Sequence, residues 1–410
     1  MRVLSGLTPV SRLILIGNGI ASLGSGLTFS FIVIYLGQVR GLGVTAAGLL
    51  VAYMAVLGLI CTLASGSLVD RFGPRPVLMV GLGIVTVAIA SLTLVDSLPS
   101  AVIVTTILAV GNAGYWAPQS ALYARVTARE HRQDVFGLQF MVINLGLGLG
   151  GLVAATIVDV DRPQTFVVLY LIDAATSVIY LLLLATLRGV GVGPSRDEDE
   201  PAPADGGYRV VLRDRTLMSL ALAAVVLLTF GYGSMDVGLP TYATVIGGLP
   251  VSTVAIAWAV NTAVIVVVQL AVLRLIRQRS RTRLAALVAV LWALAWVCIG
   301  VAIVFPPLTA TAVICLGTAV FGLGEAIWSP IGPALVNDLA REDLRGRYNA
   351  VIGWTWNVSS AIGPAFAGVM LGADLVVGWL GAIVLGCGVA GVLMLRLRRR
   401  LTPAQDRPVG

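Results

Sequence analysis

Lysine is absent from this chain of 410 residues, and histidine occurs once, at position 131. A chain without lysine cannot form the G-x-x-x-x-G-K-[ST] loop that holds nucleotide phosphates, which argues against ATP-driven work. Charged residues amount to only 11% of the sequence, whereas a soluble domain averages about 25%. These deficits exclude an ordinary soluble domain.

Cysteine is also scarce, with four residues that all fall inside apolar segments: Cys61, Cys298, Cys315 and Cys387. Their spacing does not match a metal site, so we expect packing residues and no bound metal. His131 stands between two charged residues in a polar segment, without a nucleophile–base pair or a metal cluster beside it. The sequence therefore predicts neither an enzyme nor a cofactor.

Long apolar segments are what the sequence has in abundance: 58% of its residues are hydrophobic, and the mean hydropathy is +0.96. A stretch of about 18 or more apolar residues can cross a bilayer as a helix. Twelve segments qualify: residues 12–37, 44–69, 76–95, 100–124, 136–158, 165–187, 216–239, 251–273, 283–304, 308–336, 348–371 and 374–395. We therefore predict an all-α integral membrane protein with twelve transmembrane helices.

The 27 basic residues are all arginine, and the formal net charge is +7. If the N-terminus is cytoplasmic and twelve helices follow, only Arg40 and Arg162 fall on the outer side. Such an excess of inner arginines follows the positive-inside rule. It predicts a multi-pass protein of the cell membrane with both termini in the cytoplasm. We attribute the basic charge to topology and to lipid headgroups of the bilayer, not to nucleic acid.

One segment, residues 189–215, interrupts the apolar rhythm and is rich in proline, glycine and charge. Its composition is typical of a flexible linker. We therefore predict a six-helix bundle over 1–188, a cytoplasmic linker over 189–215, and a second six-helix bundle with a short tail over 216–410.

The two predicted bundles share an internal repeat. The stretch "YWAPQSALYARVTARE" (Tyr115–Glu130) aligns with "IWSPIGPALVNDLARE" (Ile327–Glu342). Identities lie 212 residues apart: Trp116, Pro118, Arg129 and Glu130 match Trp328, Pro330, Arg341 and Glu342. Duplicated helical units with pseudo-twofold symmetry are typical of secondary transporters, whose site lies near the membrane midplane at the repeat interface.

The stretch "GSLVDRFGPRP" (Gly66–Pro76) concentrates charge between two apolar segments. It resembles the loop G-x-L-x-D-R-x-G-R-R/K of the major facilitator superfamily, which joins helices 2 and 3. The matching residues are Gly66, Leu68, Asp70, Arg71, Gly73 and Arg75, and Pro74 replaces a basic residue. The resemblance covers nearly the whole chain and implies secondary active transport by alternating access of two bundles.

Three interpretations of Asp70 remain open. It is a simple helix cap, an incidental neighbour of arginines that set the orientation, or a gate residue. As a gate it would accept hydrogen bonds from a facing helix N-terminus or pair with an arginine. The resemblance implies the third role, because in the family this loop latches the cytoplasmic side of the outward-open state.

The fifth apolar segment resembles a glycine motif of drug antiporters in this family. Gly137, Gly146 and Gly150 keep the motif's spacing, but Gly151 replaces its proline. The resemblance favours export over import. Simple helix packing explains the same glycines equally well.

Three carboxylates fall inside apolar segments: Asp173, Asp236 and Glu325. Ionisable groups at membrane depth are costly and suggest function. A buried carboxyl that binds and releases a proton would couple transport to the pH gradient, and Glu325 is our preferred candidate. Asp173 is alternatively a structural hydrogen-bonding residue, and Asp236 a solvated residue near the outer rim. The arginine that the family carries in helix 4 is missing from "TTILAVGNAGYW".

Polar and aromatic residues within the apolar segments are candidates for the substrate cavity, although each could instead join two helices. They are Asn18, Ser22, Asn112, Tyr115, Trp116, Gln119, Trp258, Asn261, Trp354 and Asn357. The sequence thus favours a monomeric, proton-coupled exporter of a small amphipathic or hydrophobic compound. A proton-coupled importer of a small metabolite and a membrane sensor without transport remain alternatives.

Overall fold

The computed structural model describes residues 7–28, 31–159, 161–193 and 207–407, and these parts are nearly all helical. The chain forms two compact units. The first unit comprises Met1–Tyr208 and Ala340–Gly353, and the second comprises Arg209–Leu339 and Trp354–Gly410. The predicted boundary at 189–215 stays a prediction, and within it Gly207–Arg213 forms a short helix.

In the described part of the first unit the longer helices are α1 (Pro9–Thr28), α2 (Val44–Phe72), α3 (Pro74–Leu92), α4 (Leu98–Ala113), α5 (Trp116–Val126), α6 (Arg132–Ile157) and α7 (Pro163–Thr186). Short helical pieces cover Ile32–Ile34, Tyr35–Val39, Arg129–His131 and Glu342–Leu344. Proline occupies the first turn of α3, α4 and α7, where its missing N–H costs no hydrogen bond. These prolines set the helix starts.

The second unit contains α9 (Arg215–Leu227), α10 (Val251–Ile276), α11 (Arg281–Ala302), α12 (Pro307–Leu339) and α14 (Val376–Leu397). Its shorter pieces are Leu228–Tyr232, Gly238–Thr241, Tyr242–Ile246, Arg398–Arg400 and Pro403–Asp406. Among the described helices, α8 (Gly207–Arg213) and α13 (Arg345–Gly372) each contribute residues to both units. Side chains of Asp214 and Ser280 cap α9 and α11 by accepting hydrogen bonds from backbone N–H groups.

Eleven helices among the described residues are long and apolar enough to cross a membrane. They correspond to eleven of the twelve predicted segments. The remaining segment, 348–371, lies in α13, whose 28 residues would extend about 42 Å at 1.5 Å per residue. This length exceeds the roughly 30 Å hydrocarbon core, so the structure approximately supports the twelve-helix prediction.

Predicted segments 100–124 and 216–239 are interrupted in the part of the chain that the structure describes. Segment 100–124 forms two helices, α4 and α5, because the chain turns at Gly114 and Tyr115. A methyl group at Gly114 would lie 2.9 Å from Gly81 Cα, so close backbone packing coincides with the break. Segment 216–239 likewise stops being regular after α9, and residues 233–237 form turns. Glycine has a low helix propensity, but such breaks cannot be recognised from the apolar pattern alone.

Aromatic side chains fill the core of each unit. In the first unit Tyr35 packs edge-on against Tyr170, with ring centroids 4.8 Å apart. In the second unit Trp292 stacks on Phe321 at 4.7 Å, and Trp292 donates a hydrogen bond to the Phe321 carbonyl oxygen. These cores hold the helices that carry the polar residues described below.

Candidate functional site

The loop that stood out in the sequence is the turn between α2 and α3. Gly73 adopts φ +86°, a left-handed conformation that glycine accepts without strain, and it separates the two helices by a single residue. Asp70 lies in the last turn of α2, and its side chain is only 5% exposed. A nearly buried carboxylate at a helix end requires partners.

Those partners come from the N-terminus of α13, within the first unit. Asp70 Oδ1 accepts a hydrogen bond from Gly346 N at 2.6 Å, and Oδ2 accepts one from Arg347 N at 3.3 Å. Arg347 Nη1 also pairs with Oδ2 at 3.0 Å. The first N–H groups of a helix lack partners inside the helix and carry partial positive charge. Asp70 therefore caps the N-terminus of α13 and, at the same time, forms an ion pair with Arg347 of that helix.

Close packing around Gly66 supports this contact. A methyl group at Gly66 would lie 2.6 Å from Ala350 Cβ and 2.8 Å from the Gly346 carbonyl oxygen. Tyr208 donates a hydrogen bond to the Leu63 carbonyl oxygen, and the Arg347 guanidinium lies 5.9 Å from its ring centroid. A larger residue at position 66 would push α13 away from α2.

The two arginines of the loop differ in their contacts. Arg75 donates hydrogen bonds to the carbonyl oxygens of Leu184 and Ala185, at 2.8 and 3.0 Å, at the end of α7. A cation at a helix C-terminus also complements the helix dipole. Arg71 is exposed and lies over the Phe72 ring, at 5.1 Å from its centroid. Arg75 thus joins α3 to α7, whereas the Arg71 side chain has only this local contact among the residues that the structure describes.

Glu325 lies in the middle of α12 and is buried, with 5% of its surface exposed. Its Oε2 accepts a hydrogen bond from Asn261 Nδ2 on α10 at 2.7 Å. No arginine pairs with it among the residues that the structure describes. The carboxyl is therefore held by a neutral amide, in a part of the second unit rich in aromatic side chains.

The other two carboxylates occupy different surroundings. Asp173 on α7 is fully buried and accepts a hydrogen bond from Thr28 Oγ1 on α1 at 2.6 Å. Asp236 is exposed and lies in the turn after α9, which corrects its predicted place inside a continuous helix. It remains close enough to Glu325 to interact with it electrostatically.

Several cavity candidates of the first unit join helices to each other. Asn18 Nδ2 donates to Tyr115 Oη at 2.8 Å, and Gln119 Nε2 donates to Tyr180 Oη at 3.1 Å. Asn18 and Gln119 are fully buried. These contacts match the helix-joining alternative.

The remaining candidates vary in exposure. Trp116 and Trp354 are exposed, at 55% and 40%. Ser22 is buried against Gly146 of α6. Asn112, Trp258 and Asn357 are half-buried. Their roles in a substrate cavity stay predictions.

The glycine motif of α6 packs directly on α1. A methyl group at Gly146 would lie 2.8 Å from Ser22 Cβ, and one at Gly150 would strike the Leu23 carbonyl oxygen. A methyl group at Gly151 would meet nothing closer than the Gly26 carbonyl oxygen at 3.8 Å. Gly146 and Gly150, but not Gly151, therefore permit the close helix crossing, and Gly137 is buried in the same helix.

Gly146→Val should destabilise the protein, because its side chain would overlap the α1 backbone. Overpacking of this kind costs about 1–3 kcal/mol. Gly151→Val is the matched control, since the same change there meets only ordinary contacts. The melting temperature of each purified variant in detergent, read by fluorescence-detected gel filtration after heating, should fall only for Gly146→Val. Equal melting temperatures would contradict this packing role.

A buried ion pair in the second unit could not be predicted from the sequence. Arg281, at the start of α11, is fully buried and pairs with Asp338 of α12 at 2.8 Å. The two residues lie 57 positions apart. The only signal in the sequence was an aspartate at the end of a long apolar segment, opposite a loop rich in arginine.

The chain is similar to several known proteins. The curated relatives include an uncharacterized MFS-type transporter, YqjV, of Bacillus subtilis, 21% identical over 88% of this chain and 86% of the relative. A Na(+), Li(+), K(+)/H(+) antiporter of Planococcus maritimus is 20% identical over 85% of this chain and 87% of its own length. The multidrug resistance protein MdtH of Aeromonas salmonicida is 24% identical over 69% and 68%.

Among solved structures, a bacterial homologue of the iron transporter ferroportin superposes with a TM-score of 0.79 at 14% identity, covering 96% of this chain and all of that one. At this identity the likeness shows the fold alone. The model of the Major Facilitator Superfamily matches residues 14–318 and 289–410. The chain, with its twelve-segment pattern and its Asp70 loop, belongs to the major facilitator superfamily.

Proposed function

We propose that this chain is a proton-coupled antiporter that exports a small amphipathic or hydrophobic compound across the cell membrane. Its family consists of multi-pass membrane transporters that carry small molecules and are not enzymes. The observation that carries the proposal is Glu325, a buried carboxyl whose hydrogen-bond partner is the neutral Asn261.

The surroundings of Glu325 suit reversible proton binding. A carboxylate paired with arginine would be held in its charged form, but Asn261 can donate to the charged or the neutral carboxyl. Asp236 adds a second negative charge within electrostatic range, and two nearby carboxylates repel each other when both are charged. When solvent access to Glu325 changes, its carboxyl group would therefore take up or release a proton.

Asp173 suits this role less well. Its carboxyl packs against α1, where a methyl group at Gly24 would lie 2.7 Å from Asp173 Oδ1. Thr28 of the same helix donates to its other oxygen. These contacts tie α7 to α1, so we assign Asp173 a structural role and keep Glu325 as the coupling residue.

The proposed substrate class rests on charge and on one relative. In the described membrane-crossing helices arginine is confined to the end turns, so their middle turns offer no fixed positive charge to an anion. MdtH, which matches about two thirds of this chain, is named a multidrug resistance protein. Both observations favour an uncharged or cationic amphipathic compound that leaves the cell.

The contact of Asp70 with α13 is our candidate gate. Asp70 joins α2 to the first turn of α13, and α13 continues from the first unit into the second. Alternating access requires contacts at one end of the molecule to break in each cycle. A cluster of charge-assisted hydrogen bonds on a helix N-terminus is strong enough to favour one state, and it can break when α2 and α13 separate.

Transport by inverted membrane vesicles tests the proposal. Vesicles that contain the protein and are acidified inside should accumulate cationic amphipathic dyes, and a protonophore should abolish the accumulation. Empty-vector vesicles give the background. Accumulation that survives the protonophore but stops when a sodium gradient is collapsed would show that the coupling ion is not the proton. Dye movement only in the opposite direction would show import.

A further inference from the structure

A basic groove opens at the junction of α10, α11 and the C-terminal tail, entirely within the second unit. Its volume is about 420 Å³. It is lined by Gln278, Arg279, Ser280, Arg283, Leu284, Leu287 and Arg407. Three of the seven lining residues are arginines, in a chain with only 11% charged residues. None of the seven belongs to the gate or to the coupling site.

The three arginines of the groove are available for an anion. Arg279, Arg283 and Arg407 are exposed, and their side chains form no ion pair or hydrogen bond with the residues that the structure describes. The nearby carboxylates are engaged elsewhere: Asp338 pairs with Arg281 at 2.8 Å, and Asp406 with Arg398 at 3.5 Å. The groove therefore presents three positive charges without internal compensation.

The tail that carries Arg407 is anchored at this place. Asp406 accepts hydrogen bonds from Ser280 Oγ at 2.7 Å, Thr282 N at 3.0 Å and Thr282 Oγ1 at 2.8 Å. Burial acts to raise the pKa of Asp406, but these hydrogen bonds and the charge of Arg398 together outweigh it, so the pKa lies below its usual range. Arg281 Nη1 additionally donates to the Gln405 carbonyl oxygen at 3.0 Å. These contacts hold the tail next to Arg407, which lines the same groove as Arg279 and Arg283.

One wall of the groove is apolar and continues along a membrane-crossing helix. Leu284 and Leu287 lie in the first two turns of α11, which is long and apolar enough to cross a membrane. Leu287 is exposed, and beyond it Val290 and Leu294 continue the exposed apolar face at helical spacing. An anion bound by the arginines would have an apolar surface directly adjoining it, deeper in the membrane.

We propose that this groove binds the phosphate headgroup of an anionic glycerophospholipid, with an acyl chain along Leu287, Val290 and Leu294. Arginine recognises phosphate by paired, charge-assisted hydrogen bonds. Basic pockets beside transmembrane helices bind lipids of this kind. A free phosphate ion shares the headgroup chemistry but would make no use of the apolar wall. The bound lipid would tie the C-terminal tail to α11 at the membrane surface.

Lipid retention measured by native mass spectrometry tests the assignment. The full-length protein is reconstituted in phosphatidylcholine with a small fraction of phosphatidylglycerol, extracted, and scored for bound phosphatidylglycerol. The triple variant Arg279→Gln/Arg283→Gln/Arg407→Gln should lose it, with retention falling roughly fivefold for each arginine removed. The control variant Arg188→Gln/Arg213→Gln/Arg399→Gln removes equal charge from exposed positions outside the groove and should retain it.

Further measurements distinguish binding of a lipid from binding of a free anion. Phosphatidylglycerol should raise the melting temperature of the wild type, and inorganic phosphate should not. An equal rise with phosphate would overturn the lipid assignment, as would unchanged lipid retention by the triple variant. If the triple variant does not fold, Arg283→Gln and Leu287→Gln replace it, because both positions are exposed. Each should weaken lipid retention, and wild-type retention in both would overturn the proposal.

Discussion

Glu325→Gln should abolish accumulation of substrate driven by a pH gradient while leaving substrate exchange intact. Glutamine keeps the size of the side chain, and its carbonyl oxygen can still accept the hydrogen bond that Asn261 donates to Glu325. It cannot bind and release a proton. Accumulation in acidified inverted vesicles should therefore fall to the level measured with a protonophore, whereas exchange of labelled for unlabelled substrate without a gradient should continue.

The matched control for Glu325 is Asp236→Asn, which removes a neighbouring carboxylate that is exposed in the turn after α9. It should keep most of the gradient-driven accumulation. The exchange measurement separates coupling from folding, because a misfolded variant would lose both activities. Normal accumulation by Glu325→Gln, or loss of coupling in Asp236→Asn alone, would show that we chose the wrong carboxylate.

The architecture could be predicted from the sequence because a bilayer imposes local rules. Each crossing needs a long apolar segment, and the loop around Asp70 carries its family pattern within a few consecutive residues. The breaks at Gly114 and after α9 could not be predicted, since the apolar pattern continues through both. They depend on the neighbours, as in the contact between Gly114 and Gly81.

The site residues illustrate the same limit. A buried carboxylate such as Glu325 stands out in an apolar segment, but its donor Asn261 lies 64 positions away and the sequence does not pair them. The partner of Asp70, Gly346, is 276 positions distant and has no side chain to mark it. The donors are backbone N–H groups at the start of α13, and their position beside Asp70 is known only from the three-dimensional structure. Residue types could thus be predicted, whereas their pairing required the fold.

Asp70→Asn should open the contact between α2 and α13 and slow transport. Asparagine can still accept a hydrogen bond from Gly346 N, but it carries no charge for Arg347 or for the N-terminus of α13. Hydrogen bonds to charged groups contribute about 1.5–3 kcal/mol, and roughly 1.4 kcal/mol shifts an equilibrium tenfold. Val69 is 3% exposed and packs on Gly346, so a cysteine placed there reports on this contact. In a protein without the native cysteines, this cysteine should react with maleimide roughly tenfold faster or more when Asp70→Asn is added.

Arg71→Gln distinguishes gating from a general effect of loop charge. Arg71 is next to Asp70 in the sequence, but its guanidinium lies over the Phe72 ring and it forms no ion pair among the described residues. Its removal should leave labelling at position 69 unchanged, whereas Arg347→Gln should accelerate labelling as Asp70→Asn does. If Asp70→Asn and Arg71→Gln label equally fast, the carboxylate does not hold α13, and Asp70 is only a residue of an orienting loop. Faster labelling with unchanged transport would show that the contact forms but does not limit the cycle, so rate and labelling must be measured on the same preparations.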